Sequence, residues 1–267
     1  MFALLLALST SAKVCIDPGH AGKYNKGAVS TYYESEVVWK LSNKLKTQLQ
    51  NKGISVVMTK SSLNDDPSLE KRGNTAKGCN LFISIHSNAC GTESVDYPLV
   101  ITSLDNSGGV NTLSTNIANS LHSLMGTRQA GKVITKQGSG GEWYGVLRGA
   151  QHVGVANRIL VEHSFHTNVA AANWLLVDSN LDKIASMEAN HISNFIGDSP
   201  SPSPSCTVAV GKSVTLSNAN LYTDSYAGTY ARKISGTYTV SRVISGRAAG
   251  VLIGGGIGWV RESDCKC

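Results

Sequence analysis

Two histidines and two glutamates stand where this chain changes direction. His20 closes the run Asp17-Pro18-Gly19-His20, which follows the first strand-like run. His86 follows the apolar run 81–85 in SIHSNA, Glu162 ends the run 158–161, and Glu34 opens a stretch with helical periodicity. Two imidazole nitrogens and one carboxylate oxygen make a catalytic zinc set, because three protein ligands leave a fourth position open for water or substrate. Bound zinc lowers the pKa of water toward ~7 and polarises a carbonyl. A second carboxylate beside it can take a proton from that water and return it to a leaving amine. His20, Glu34 and His86 are therefore the candidate metal ligands, and Glu162 the candidate base and acid. Glu36, two residues further on, rivals Glu34. His122, His152 and His191 lack such context and read as structural or surface histidines. No HExxH occurs, which sets aside the common zincin arrangement.

The elements that must position these groups follow from the apolar pattern. Strand-like runs cover residues 14–17, 54–58, 81–85, 99–103 and 158–162. Helical stripes lie between them: Val37, Val38, Leu41, Leu45 and Leu49, then Ile117, Leu121 and Leu124, and a final helix over 181–196. Strands alternating with helices predict an α/β domain, a twisted and mostly parallel sheet flanked by helices. Ligands bind beyond the carboxyl ends of such strands, so His20, His86 and Glu162 should share one rim. Glu34 joins them if its helix starts on that side, and a helix N-terminus favours its ionised form.

At these residues the sequence resembles a known family. IDPGHAG, the glutamate of YESEVVWKLS, FISIHSNA and LVEHSFHTN occur in order over roughly residues 13–197. Together they resemble the zinc-dependent N-acetylmuramoyl-L-alanine amidases of the autolysin and phage-endolysin type. The resemblance implies one Zn2+ held by His20, Glu34 and His86, with Glu162 catalytic, and its register favours Glu34 over Glu36. It implies hydrolysis of the amide between N-acetylmuramic acid and L-alanine of the peptidoglycan stem peptide. Glu70-Lys71-Arg72 and the YGVLR run at 144–148 also look familial, and Arg148 is a candidate substrate contact. His163-Ser164 departs from the small or apolar pair of many relatives, which makes His163 and His166 further substrate-binding candidates.

The chain has 267 residues and one plain boundary, the proline-alternating SPSPSPS at 199–205, an extended linker. It separates a catalytic domain, 13–198, from a C-terminal part, 206–267, with short β-rich runs at 208–210, 214–216, 238–240, 251–253 and 259–260. Those runs predict a small all-β barrel. LYTDSYA, KISGTYTV and GIGWV resemble bacterial SH3-like wall-binding modules, with Tyr222, Tyr226, Tyr230 and Trp259 as a candidate aromatic groove. Residues 1–198 carry 17 Lys+Arg against 15 Asp+Glu, net +2, and 199–267 carry 7 against 3, net +4. A basic module suits an anionic polymer such as a cell wall. Nucleic acid would suit the charge too, but no reader motif accompanies it, so neither nucleic acid nor membrane is an expected partner.

The six cysteines show no zinc-finger spacing; Cys15 and Cys79 read as buried thiols, and Cys206 and Cys265 could pair. Residues 1–12, MFALLLALSTSA, read as an export signal lacking the usual basic start, or else as an upstream extension or a first strand. Extracellular or cell-wall action is the expectation. The competing readings are a zinc peptidase acting on the stem peptide and a non-catalytic wall-binding protein; all four filled site positions argue against the second.

Overall fold

A computed structural model describes residues 12–105, 109–139, 141–198, 208–227, 229–244, 247 and 249–265. The chain divides into two compact units, residues 1–201 and 202–267. The 199–205 linker, Cys206 and most of the N-terminal apolar run lie outside the described residues.

The first unit is built on β1 (Lys13–Pro18), α1 (Glu34–Asn51), β2 (Ser55–Met58), α2 (Leu69–Asn74), β3 (Leu81–Asn88) and β4 (Leu99–Thr102). It continues with α3 (Val110–Met125), β5 (Lys132–Ile134), a two-strand hairpin of β6 (Gln137–Gly138) and β7 (Gly141–Glu142), and α4 (Gly145–His152). Then come β8 (Arg158–Phe165), α5 (Val169–Leu176) and α6 (Asp178–Asp198). The six-stranded sheet runs in the order β2-β1-β3-β8-β4-β5. β2, β1, β3 and β8 are parallel; β4 runs antiparallel to β8 and parallel to β5.

Strand periodicity distributes the core between the two faces. Val14 and Ile16, Ile83 and Ile85, and Ile159 and Val161 pack with Leu41, Leu45, Ile117 and Ile192 from α1, α3 and α6. The alternate residues Cys15, Phe82 and Leu160 pack with Leu147 and Ala150 of α4 on the opposite face. Asp17, Ser84, His86 and Glu162 continue this second set by the same period of two. Cys15 and Cys79 are buried free thiols. Helices α2 and α4 cross closely: a Cβ on Gly73 would lie 2.3 Å from the Val146 carbonyl oxygen.

Two sequence expectations change. Residues 81–85 and 158–161 are only the first parts of β3 and β8, so His86 and Glu162 lie inside strands and not after them. The two strands keep pairing because His86 is in register with Glu162, and a bulge follows between His86 and Asn88. Residues 208–210 are not a strand: Lys212 donates to the Ala209 carbonyl in a turn through Gly211, whose φ is 82.

The second unit comprises β9 (Ser213–Tyr222), β10 (Tyr230–Val243), β11 (Val251–Ile253), β12 (Gly258–Val260) and a 3-10 turn (Glu262–Asp264). The four strands close into an antiparallel barrel filled by Val214, Leu221, Val240, Ile253 and Val260. Tyr222 is 5% exposed, with the Arg261 guanidinium 5.9 Å from its ring centre, whereas Tyr226 and Tyr230 are 63% and 53% exposed. The Arg247 guanidinium lies 3.7 Å from the Tyr226 ring centre. No helix among the described residues is long and apolar enough to cross a membrane.

Candidate active site

The site forms where β1, β3 and β8 end and α1 begins. Asp17, the last acidic residue of β1, is fully buried; its Oδ1 accepts from Arg72 Nε at 2.7 Å and Thr59 Oγ1 at 2.6 Å, and its Oδ2 from Ser84 Oγ at 2.7 Å. Arg72 also donates to the Pro18 carbonyl at 2.6 Å. This pair of ions anchors the turn that follows. Gly19 must be glycine, because a Cβ there would lie 2.5 Å from His86 Cε1. His20 then takes a left-handed backbone with φ 54, a strained conformation for a residue with a Cβ, and Lys60 Nζ donates to its carbonyl. Its ring stacks on Tyr24 with centres 4.7 Å apart and meets the His86 ring edge-on at 5.0 Å.

Glu34 is the first residue of α1 and is 1% exposed. Its Oε1 lies 2.9 Å from His86 Nδ1 and accepts from the Ser87 amide at 3.0 Å. Its Oε2 lies 3.1 Å from His20 Nε2 and accepts from Asn25 Nδ2 at 2.6 Å. Burial alone would favour a neutral carboxyl, but the two imidazoles hold Glu34 well below the usual range, so it is ionised. Burial would likewise lower the His86 pKa, and Glu34 outweighs it to raise the pKa. One donor atom from each of His20, Glu34 and His86 lies within 4.8 Å of the others. The cluster takes Glu34 and leaves Glu36 outside.

Glu162 faces the same cleft, which has a volume of about 350 Å³. It is 8% exposed, and its Oε2 has no hydrogen-bond partner among the described residues. Burial, with Glu34 adding to it, pushes its pKa up to about 7 against the opposing pull of His86 and His163. A carboxyl poised there can both accept and return a proton near neutral pH.

The remaining candidates take separate places. His163 points to the other face of β8. Its Nδ1 lies 2.9 Å from the His86 carbonyl and its Nε2 2.9 Å from Glu188 Oε1 on α6. Both neighbours are acceptors, so both nitrogens donate and the ring is an imidazolium; Glu188 overcomes burial to raise its pKa. His163 thus braces the strand that carries His86. His166 lines the cleft, with Nδ1 2.9 Å from Ser87 Oγ, and its ring stacks 5.6 Å from Tyr32. Ser87 Oγ also lies 2.8 Å from the Tyr32 hydroxyl. Arg148 sits outside the lining and donates Nη1 to the carbonyls of Glu142 and Trp143, at 2.6 and 2.7 Å, clamping the loop before α4. Its neighbours Tyr144, Gly145 and Val146 do line the cleft. His122 and His191 bond to Thr127 and Ser120, and exposed His152 lies 3.4 Å from Glu70.

Asn25, Tyr32, Lys60, Ser87 and Glu188 are site residues that motif spacing does not mark. Only the buried acid on α6, opposite a histidine inside an apolar strand, carries a signal that pairing could have used.

Residues 14–194 match the family described as N-acetylmuramoyl-L-alanine amidase. Solved structures similar to this one include the catalytic domain of CwlV, an N-acetylmuramoyl-L-alanine amidase from Bacillus (Paenibacillus) polymyxa var. colistinus, at 19% identity and a TM-score of 0.59, covering 70% of this chain and 98% of that one. Another is an N-acetylmuramoyl-L-alanine amidase from Clostridium difficile 630, at 21% identity and a TM-score of 0.62, covering 70% and 98%. A third is AmiC2 of Nostoc punctiforme, at 22% identity and a TM-score of 0.60, covering 71% and 99%. At these identities the likeness is one of fold. No curated protein matches the chain.

Proposed function

The chain belongs to the N-acetylmuramoyl-L-alanine amidase family, and we propose that it works as a zinc hydrolase in which His20, Glu34 and His86 hold the metal and Glu162 carries the proton. As a member of that family it is a peptidoglycan amidase, which splits N-acetylmuramic acid from L-alanine. The observation that carries the zinc reading is the convergence of two imidazoles and one ionised carboxylate within 4.8 Å, beside a buried carboxyl that pairs in register with His86.

This donor set fits zinc: three nitrogen and oxygen ligands leave one position open. When bound, zinc would supply a Lewis acid that polarises the scissile carbonyl and makes water more acidic. The two Glu34 oxygens face the two imidazoles, so the three side chains point at one place, and the Ser87 amide and Asn25 fix Glu34. Glu162 takes the proton of the attacking water and passes it to the L-alanine nitrogen as the amide bond breaks. The products are a lactyl carboxylate on the glycan and a free amino terminus on the stem peptide. Cleft walls from Leu69 and the Tyr144–Val146 segment limit water around Glu162.

The C-terminal barrel acts as an SH3-like wall-binding module, supported by its net charge of +4 and its exposed Tyr226 and Tyr230. That assignment places the enzyme at the cell wall. The test is mass spectrometry of digested peptidoglycan. New L-alanine amino termini should form, vanish after chelation and return with zinc. Cleavage between stem amino acids instead would overturn the amidase reading, and full turnover in metal-free protein would overturn the zinc reading.

A further inference from the structure

We propose that His166 is a substrate contact whose Nε2–H is a fixed, uncharged donor to an acceptor oxygen of the substrate, either the scissile carbonyl or an oxygen further along the stem peptide. The inference rests on the amidase reading above and adds to it a recognition group and its protonation pattern.

The argument begins at Tyr32. Its side chain is fully buried, and the only partner of its hydroxyl among the described residues is Ser87 Oγ at 2.8 Å. A buried O–H that donates to nothing is destabilised, so Tyr32 donates to Ser87. The Ser87 hydroxyl has one hydrogen and two neighbours. Having accepted from Tyr32, it donates to its other neighbour, His166 Nδ1, at 2.9 Å, because accepting from both would leave its own buried hydrogen without an acceptor. The reverse direction would leave the Tyr32 hydrogen without an acceptor. Nδ1 therefore bears the lone pair, and the ring proton resides on Nε2. Burial also lowers the His166 pKa below the usual imidazole range, which keeps the ring neutral.

The ring itself is held still. It stacks on Tyr32 at 21° between planes, its amide donates to the Asn88 carbonyl at 2.8 Å, and its carbonyl accepts from Ala28 at 2.8 Å. The side-chain hydrogen bond of the ring among the described residues is at Nδ1, and His166 lines the cleft shared with Glu162, His20 and His86. A fixed N–H beside a hydrolytic site is suited to a carbonyl or carboxylate oxygen and repels an ammonium group or another donor. Being uncharged, it contributes without adding positive charge next to the metal ligands. Ser87 links this donor to the site, because its amide also fixes Glu34.

The test uses zinc-loaded full-length protein with 15N-labelled histidine, in the Glu162→Gln background so that substrate persists. N-acetylmuramoyl-L-alanyl-D-isoglutamine is the probe. His166 should show a protonated Nε2 and an unprotonated Nδ1, the Nε2 signal should move on adding the probe, and Tyr32→Phe should mix the two tautomers. In the active enzyme, His166→Ala should lower kcat/KM by about 10- to 100-fold, and His166→Gln, which keeps an N–H, should recover part of it. A fall in kcat alone identifies the scissile carbonyl as the acceptor; a rise in KM identifies an oxygen further along the stem. A protonated Nδ1, or a probe that leaves the Nε2 signal unmoved while wild-type enzyme hydrolyses it, would overturn the inference. A moved Nε2 signal without any hydrolysis would instead overturn the amidase reading and leave the contact standing.

Discussion

Replacing Glu162 by glutamine separates proton transfer from a stability cost that the native carboxyl imposes on its own fold. In the unfolded chain Glu162 ionises near 4.5, whereas the metal-free fold keeps it protonated up to about 7. Between those values the folded state binds more protons than the unfolded one, so stability falls as pH rises through the window. Above it the ionised, 8% exposed carboxylate costs the fold about 3 kcal/mol. Glutamine has no charge to bury, although its amide adds a pH-independent desolvation cost of about 1–3 kcal/mol. The informative quantity is therefore a difference of differences. In chelated protein, the stability of Glu162→Gln relative to wild type should be greater at about pH 8 than at about pH 4, by about 3 kcal/mol. Urea unfolding followed by circular dichroism at both pH values measures it. Zinc-loaded Glu162→Gln should meanwhile lose roughly 10²- to 10⁴-fold in turnover with its zinc content unchanged. A relative stability that does not vary with pH would refute the argument that Glu162 is a buried carboxyl with a raised pKa. Loss of zinc would make it a ligand, and near-normal turnover would pass the proton to another group lining the cleft, His166 first.

Gly19→Ala should lower zinc affinity by about 10- to 100-fold while the fold survives, because the new methyl sits 2.5 Å from His86 Cε1 and must displace that ring; competition with a zinc chelator measures it, and unchanged affinity would refute the close-contact argument. Glu188→Leu should destabilise by about 3–5 kcal/mol, since it leaves the His163 imidazolium buried without its carboxylate, and a denaturant midpoint within error of wild type would refute that pairing. A protein ending at residue 198 should cleave soluble wall fragments as the full chain does and bind intact walls more weakly; equal binding by the two in a sedimentation assay would remove the targeting role of the barrel.

That His20, Glu34, His86 and Glu162 meet at one cleft was legible because three of them stand where apolar runs end and Glu34 opens a helix, and the family resemblance pointed to the same four. The parallel sheet was legible for a related reason: strands buried on both faces read as uninterrupted apolar runs. Where β3 and β8 stop was not, since His86 and Glu162 break the apolar run while the backbone goes on pairing. Helices α2 and α4 were obscured by Gly73 and Gly149, which oppose helix propensity yet permit the helices to touch. The supporting contacts were not legible at all. Tyr32 and Ser87 are 55 positions apart, and Lys60 and His20 are 40 apart. No local pattern records such pairs, because they exist only once the sheet order is set.

That order bears on how the chain is made. β8 lies between β3 and β4 but is the last strand of its sheet to leave the ribosome. Until residues 158–165 emerge, the growing chain can assemble only two partial sheets, β2-β1-β3 and β4-β5, each with an unpaired edge facing the gap. Such edges recruit stray strands, so the interval before insertion is the one most exposed to misassembly. Insertion zips both edges at once and brings Glu162 level with His86 in the same movement. The chain would then acquire Glu162, its proposed proton carrier, only with the closing step of folding, and a chain arrested short of β8 would hold the candidate metal ligands His20, Glu34 and His86 without it.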